Sequence, residues 1–464
     1  MPIPFVRWAL AGLSLSMLLS SLGTSIANVG LPTLALAFNA SFQDVQWVVL
    51  AYLLAITTLI VSVGRLGDII GRRRLLLAGI VLFTMASLIC GATPTLWLLI
   101  AARAAQGLGA AIMMTLTMAF VGETDPKVRT GSAMGLLGTM SAIGTALGPS
   151  LGGILIAALG WQSIFPVNVP LGLLAFLLAY RHLPVDRLVP TVDRIGFDAM
   201  GTLLLALTLG AYALAMTTGR GSFGSLNLGL LLTAAFGVVL FIFAERRAAS
   251  PLLRLAMFRD PALRASLATS ALVSTVMMAT LVVGPFYLSR ALMLDAAHVG
   301  FVMSIGPIIS ALSGVPAGRI VDRWGAPFMV IAGLVAMAAG SVALFLLPAM
   351  FGISGYIIAI AVLTPGYALF QAANNTAVMM DVQPNQRGVM SGLLNLSRNL
   401  GLITGASVMG AVFAVGAASP NLMTASPQAV ISGMRATFVG AAVLVVVALA
   451  IALAQVLDAL RNHP

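Results

Sequence analysis

Fourteen apolar runs, each about as long as a bilayer crossing, constrain this chain more than any other feature. They fall near residues 8–32, 45–66, 74–93, 95–121, 131–158, 163–181, 197–217, 226–244, 264–289, 298–318, 326–348, 354–380, 389–416 and 431–458. A helix satisfies its backbone hydrogen bonds internally, so runs of this length read as membrane-spanning helices. Composition agrees: of 464 residues, 60% are hydrophobic and only 8% are charged. The expected class is an all-α polytopic membrane protein with fourteen transmembrane helices. The first run follows Arg7 and is long enough to span, so it is expected to stay as the first helix.

The net charge of +11 does not point to nucleic acid, because the basic residues sit in short connections between apolar runs. With the N-terminus inside, the cytosolic connections hold Arg65, Arg72, Arg73, Arg74, Lys127, Arg129, Arg246 and Arg247 among others. The opposite side holds only Arg220, Arg290 and Arg435. That asymmetry sets both termini in the cytosol. Cys90 is the sole cysteine, which excludes a disulfide framework or a cysteine metal site. No nucleophile–base pair, metal cluster or phosphate loop stands in a polar segment, so neither an enzyme nor a metal or cofactor is expected.

The chain repeats itself. Gly64-Arg-Leu-Gly-Asp68-Ile-Ile-Gly71-Arg72 closes the second run, and Gly318-Arg-Ile-Val-Asp322-Arg-Trp-Gly325 recurs 254 residues later with the same G-R-x-x-D-x-x-G spacing. These read as two polar hinges whose glycines let the backbone turn and neighbouring helices approach. Met134-Gly-Leu-Leu to Gly148 in the fifth run likewise aligns with Ser391-Gly-Leu-Leu to Gly405 in the thirteenth. Residues 1–181 and 261–464 are therefore expected to form two six-helix bundles. A cytosolic linker and two extra helices lie between them at 182–260, as in carriers that bind cargo at a repeat interface.

Taken in order, these motifs resemble the major facilitator superfamily, in its fourteen-helix drug:proton antiporter branch. The hinge Gly64–Arg74 resembles the family's loop motif, and Arg103-Ala-Ala-Gln106-Gly-Leu-Gly its buried-arginine motif. Gly144-Thr-Ala-Leu-Gly148-Pro149-Ser-Leu-Gly152-Gly153 resembles the fifth-helix motif of antiporters. Trp161 to Gly172, and Glu245-Arg-Arg with Pro251 and Met257-Phe-Arg259, resemble later segments of the branch. The resemblance implies a major-facilitator-type fold and multidrug efflux of amphipathic, often cationic, compounds against proton entry. It implies a bacterial inner membrane location, a monomer, and small-molecule cargo, protons and lipid as partners.

Candidate sites follow. Gly64, Asp68, Gly71, Arg72, Gly318 and Asp322 are expected to act in conformational switching, as a charge lock that closes one side. Gly144, Gly148, Pro149 and Gly152 allow close packing and a kink, which fits ordinary helix packing and gating equally. Arg103 inside the fourth run is a structural donor to facing carbonyls or part of a proton relay, with Glu123 and Asp198 as further coupling candidates. Thr24, Asn28, Tyr52, Gln106, Tyr367, Gln371, Asn374, Asn395 and Arg398 are candidates for lining the cargo cavity. Each is also a plausible helix–helix contact.

One departure stands out. Branch members carry an aspartate before the T-x-x-x-N-V run of the first helix, and here that place is Gly23. None of the 13 acidic residues lies clearly at mid-membrane. The expectation is a secondary transporter exporting amphipathic compounds. The alternatives are a carrier for an anionic or zwitterionic metabolite using Arg103 and Arg398, or a transport-inactive receptor or scaffold.

Overall fold

The computed structural model describes residues 3–60, 62–123, 130–184, 198–218, 224–248, 255–379, 387–418 and 425–462. Its helices are α1 (Ile3–Ala37), α2 (Phe42–Leu59), α3 (Val63–Ile70), α4 (Arg72–Ala92), α5 (Leu96–Glu123), α6 (Thr130–Leu159), α7 (Asn168–His182), α8 (Ala199–Thr217) and α9 (Ser225–Arg247). They continue with α10 (Pro261–Phe286), α11 (Ala296–Trp324), α12 (Ala326–Met379), α13 (Arg387–Thr404), α14 (Gly410–Gly416) and α15 (Pro427–Asn462). Short π-helical turns at Tyr287–Ala291 and Gly405–Met409 extend α10 and join α13 to α14.

Among the described residues, thirteen helical stretches are long and apolar enough to cross a membrane. One of them, α12, has 54 residues, about 80 Å of helix and far more than a bilayer core. It breaks at Gly352, where φ is 55° and ψ −125°. A methyl group on Gly355 would fall 2.2 Å from the Leu347 carbonyl oxygen, so the chain doubles back there. The two arms of α12 act as separate spans, in line with the fourteen runs.

Acidic and hydroxyl residues start the helices. Ser41 and Asp44 form a reciprocal capping box at α2, and Asp198, Asp260 and Asp295 cap α8, α10 and α11 through their carboxylates. Each satisfies amide donors that the first helical turn leaves without a partner.

The hinge after α2 differs from the sequence expectation. It is itself an eight-residue helix, α3, which ends at Gly71 with φ 104° before α4 begins at once. Gly325, 254 residues on, ends α11 with φ 85° before α12 begins. Both turns need the left-handed region, which glycine enters without steric cost. Gly64 and Gly318 make no close approach, since nothing lies within 4 Å of where a side chain would start. Gly67 makes it instead, against Leu116.

The internal repeat holds in the packing. On α6, Gly144, Gly148 and Gly152 admit the backbone and side chains of α1 at Leu18, Ser25, Ile26 and Val29. On α13 and its π turn, Gly401 and Gly405 admit α10 at Ala271 and Thr275. One hydrogen bond recurs: Ser25 Oγ donates to the Gly144 carbonyl at 3.3 Å, and Thr275 Oγ1 to the Gly401 carbonyl at 3.1 Å. Equivalent helices of the two halves thus meet through equivalent glycines.

Candidate functional site

Arg103 is the eighth residue of α5 and is fully buried. Burying a guanidinium without water requires that its donors be satisfied. Nε donates to the Val48 carbonyl at 2.9 Å and Nη1 to Gln106 Oε1 at 2.5 Å, and Gln106 Nε2 donates on to Ser87 Oγ at 2.7 Å. The guanidinium carbon lies 4.1 Å from the centre of the Tyr52 ring, a cation–π contact in a dry setting. Tyr52 in turn donates to the Ser20 carbonyl at 2.8 Å. The cluster therefore ties α1, α2, α4 and α5 together and contains no carboxylate.

Tyr52 and Gln106, candidates for the cargo cavity, belong to this cluster. Both are fully buried, and both are held by or beneath Arg103. Gly23 faces the same cluster: a Cβ there would sit 3.0 Å from Tyr52 Oη and 3.3 Å from the Phe83 ring. The place of the missing aspartate is thus occupied by an aromatic surface.

The halves meet in a seam at one end of the molecule. Gly153 of α6 and Gly300 of α11 touch backbone to backbone, each within 2.9 Å of the other's Cα from the position of an added Cβ. Phe42 at the start of α2 packs edge-on to Phe286 at the end of α10, with ring centres 4.6 Å apart, and against Phe413 of α14 at 5.5 Å. Gln46 Nε2 donates at 2.8 Å to the carbonyl of Ala406, inside the π turn after α13. Further along α11, Gly314 and Gly318 have nothing within 4 Å.

The first inserted helix, α8, lies over this seam. Thr202 and Ser62 share a hydrogen bond of 2.9 Å, and Trp47 Nε1 donates to Thr217 at 3.1 Å, fixing α8 to the N-terminal half at both ends. Between them Tyr212 donates to Thr404 of α13 at 3.2 Å.

The remaining candidates scatter. Thr24 is half-buried and Asn28 buried on α1, where Asn28 Nδ2 donates to the Thr24 carbonyl at 3.2 Å and Asn28 Oδ1 is buried without a hydrogen bond. Tyr367, Gln371, Asn395 and Arg398 are half-buried. Asn374 is buried and donates to the Ser266 carbonyl of α10 at 3.3 Å. Arg72 is half-buried, and Pro149 is buried with its carbonyl against Gly300. Asp322 is exposed and forms no ion pair with a described residue. Asp68 and Glu123 lie in α3 and α5, but their side chains are outside the described residues.

Asp198 does more than cap. Its Oδ2 and Glu245 Oε1 lie 2.5 and 2.7 Å from the position of a Cβ on Gly201, so two carboxylates from α8 and the end of α9 converge there. Glu245 is 3% exposed. The burial of Glu245 and the roles of Phe42, Gln46 and Gly300 had no signal in local sequence, because each depends on a partner more than 40 residues away.

A helical carrier built twice, with a buried cation in one half and a seam of small and aromatic residues between halves, is the class this fold and site define. The sequence profile of the Major Facilitator Superfamily matches residues 13–406, and the chain belongs to that family of transporters. It is 31% identical to the riboflavin transporter RibZ of Clostridioides difficile (strain 630), over 86% of each chain. It is 32% identical to the multidrug resistance protein Stp of Mycobacterium tuberculosis, over 90% of this chain and 78% of that one. Its fold is similar to that of a bacterial homologue of the human lysosomal transporter Spinster, with a TM-score of 0.71, 15% identity and 97% of each chain covered.

Proposed function

We propose that the chain is an alternating-access exporter of small amphipathic compounds in the bacterial inner membrane, of the fourteen-helix drug:proton antiporter type and acting as a monomer. Residues 1–181 and 261–464 are the two rocking halves, and 182–260 supplies the inserted helices. The observation that carries this reading is the seam between the halves among the described residues. Gly153 meets Gly300, and Phe42 meets Phe286 and Phe413, at the same end of the bundle. Two rigid bundles that touch at one end can exchange that contact for one at the other. With both termini in the cytosol, the touching end faces outward.

Proton entry needs a titratable group. Here the groups left for it stand at the ends of spans: Glu123, and Asp198 beside Glu245. A second reading, a carrier for an anionic or zwitterionic compound, is favoured by Arg398 near the middle of a span. The test is export of amphipathic dyes of both charges, ethidium and fluorescein, from pump-deficient cells expressing the chain. Faster loss of at least one dye than in vector cells is expected. Equal loss of both, with the protein present in the membrane, would count against export.

A further inference from the structure

Arg398 differs from every other cation described within a span. The stretch from α13 through α14 runs Arg387–Gly416, and Arg398 stands near its middle, about 16 Å from the start. Its Nε is buried with no hydrogen-bond partner, and the guanidinium makes no hydrogen bond or ion pair with a described residue. The repeat shows how this arises. Ser141 holds the equivalent place on α6 and shares a 2.7 Å hydrogen bond with Ser21 of α1. By the offset that relates Ser25 to Thr275, the equivalent of Ser21 is Ala271, which has no side-chain group to pair with.

Two further buried polar atoms in this half lack partners. Ser397, its neighbour, donates to the Leu267 carbonyl of α10, and Asn374 of α12 donates to the adjacent Ser266 carbonyl. The same turn of α10 therefore holds α12 and α13 on either side. Gln371, one turn from Asn374, has a buried Oε1 without a hydrogen bond. So does Ser274 Oγ, which lies beside Gly401, one turn beyond Arg398. Three helices of the C-terminal half thus each carry a buried polar atom without a partner, and only on Arg398 does that atom belong to a charged group.

No acidic side chain among the described residues pairs with Arg398. Each acidic residue within a described helix or its cap stands near a helix end: Asp44, Asp68, Glu123, Asp198, Glu245, Asp260, Asp295, Asp322 and Asp458. Arg103 adds a second buried positive charge in the other half. An uncompensated guanidinium within a span repels a cation and attracts an anion.

We propose that Arg398 receives the anionic group of the cargo, and that this carrier exports organic anions. The inference rests on the export reading above and deepens it. Its energetics follow directly. A membrane potential of roughly 100 mV, inside negative, sustains a roughly 50-fold outward gradient of a monoanion. Export of such cargo needs no proton-binding carboxylate at mid-membrane, which accords with Gly23 and with the acid inventory.

The test uses matched xanthene dyes of opposite charge, fluorescein with its carboxylate and the cation rhodamine 123, whose carboxyl is a methyl ester, in proteoliposomes carrying the purified full chain. A potassium gradient with valinomycin sets a potential without a pH gradient. Potential-driven fluorescein flux is expected to exceed rhodamine flux about tenfold or more. Arg398→Gln is expected to lower fluorescein flux by roughly 10- to 100-fold, the range for a lost charge-assisted hydrogen bond, and Arg398→Lys by much less. Rhodamine flux equal to or above fluorescein flux, or a ratio unchanged in Arg398→Gln, would overturn the anion site while leaving the exporter standing. Movement of neither dye by folded protein would count against export itself. The anion site is then decided by melting: a rise in Tm with fluorescein that Arg398→Gln abolishes supports it, and no rise overturns it.

Discussion

Gly153 and Gly300 bring two helices of opposite halves to backbone contact. A Cβ on Gly300 would lie 2.4 Å from the Pro149 carbonyl oxygen, and one on Gly153 would lie 2.5 Å from that of Ala296. Backbone cannot retreat as a flexible side chain can, so the seam closes only while both positions remain glycine. Gly153→Leu or Gly300→Leu should disfavour the closed seam by about 1–3 kcal/mol, a roughly 5- to 150-fold change in the access equilibrium. Distances between spin labels on the two halves would report it. An unchanged distance distribution would contradict the role of this contact.

The Arg103 cluster predicts a stability effect. Arg103→Leu leaves Gln106 Oε1 without a donor, at a cost of about 1–3 kcal/mol, and removes the second bond to the Val48 carbonyl, which keeps its helical donor. Arg103→Lys keeps the charge but not the planar fork that reaches Val48 and Gln106 while lying on Tyr52. Both variants should melt lower than the parent in detergent, and Gln106→Ala should share most of the loss, because it belongs to the same chain of bonds. A Tm unchanged in all three would refute the structural role.

Gly23 offers a test of the departure from the family pattern. Gly23→Asp would set a carboxylate beside Tyr52 Oη, whose ring already carries Arg103. The Tyr52 and Phe83 ring ends must move by a few tenths of an ångström to admit it. The new acid should make dye export respond more steeply to pH and to a protonophore than in the parent, and should ease export of cations. Identical pH profiles in parent and variant would show that position 23 has no part in coupling.

Asp295 predicts a pH dependence at the start of α11, beside the seam. Its carboxylate accepts from the backbone N–H of His298 at 2.9 Å and from His298 Nδ1 at 2.8 Å, and these bonds hold its pKa below the ordinary value. A pKa depressed in the folded state means that the stabilisation is complete above the unfolded value of about 3.9 and is lost as pH falls through the folded one. Asp295→Ala should therefore speed amide exchange at His298 near neutral pH and make little difference in strong acid. Equal exchange at both pH values would contradict the cap.

Most of the fold was legible in sequence, because a span is a local property: its length and hydropathy need no partner. The repeat was legible as well, through Gly71 and Gly325 and through the Gly144 and Gly401 stripes. The hinge was misjudged because Val63–Ile70 is short and polar on one face, which reads as a loop in a scan for spans. Tyr52 and Gln106 were assigned to a cavity because a polar side chain inside a span can meet either cargo or another helix. Only the position of Arg103 decides which. The seam was not legible: Phe42 and Gln46 resemble ordinary helix-start residues until Phe286, Phe413 and Ala406 are placed beside them.

The central claim is that the two halves separate at this seam during transport. Gly410 abuts the Gln46 amide so closely that a side chain there would overlap it. A Gln46→Cys, Gly410→Cys pair is therefore within reach of an oxidative crosslink. Dye export by the reduced double variant, measured against the crosslinked fraction, tests the claim directly. Export that stops in proportion to crosslinking and returns with reductant is the predicted result. Export at the reduced rate from fully crosslinked protein would show that the seam need not open.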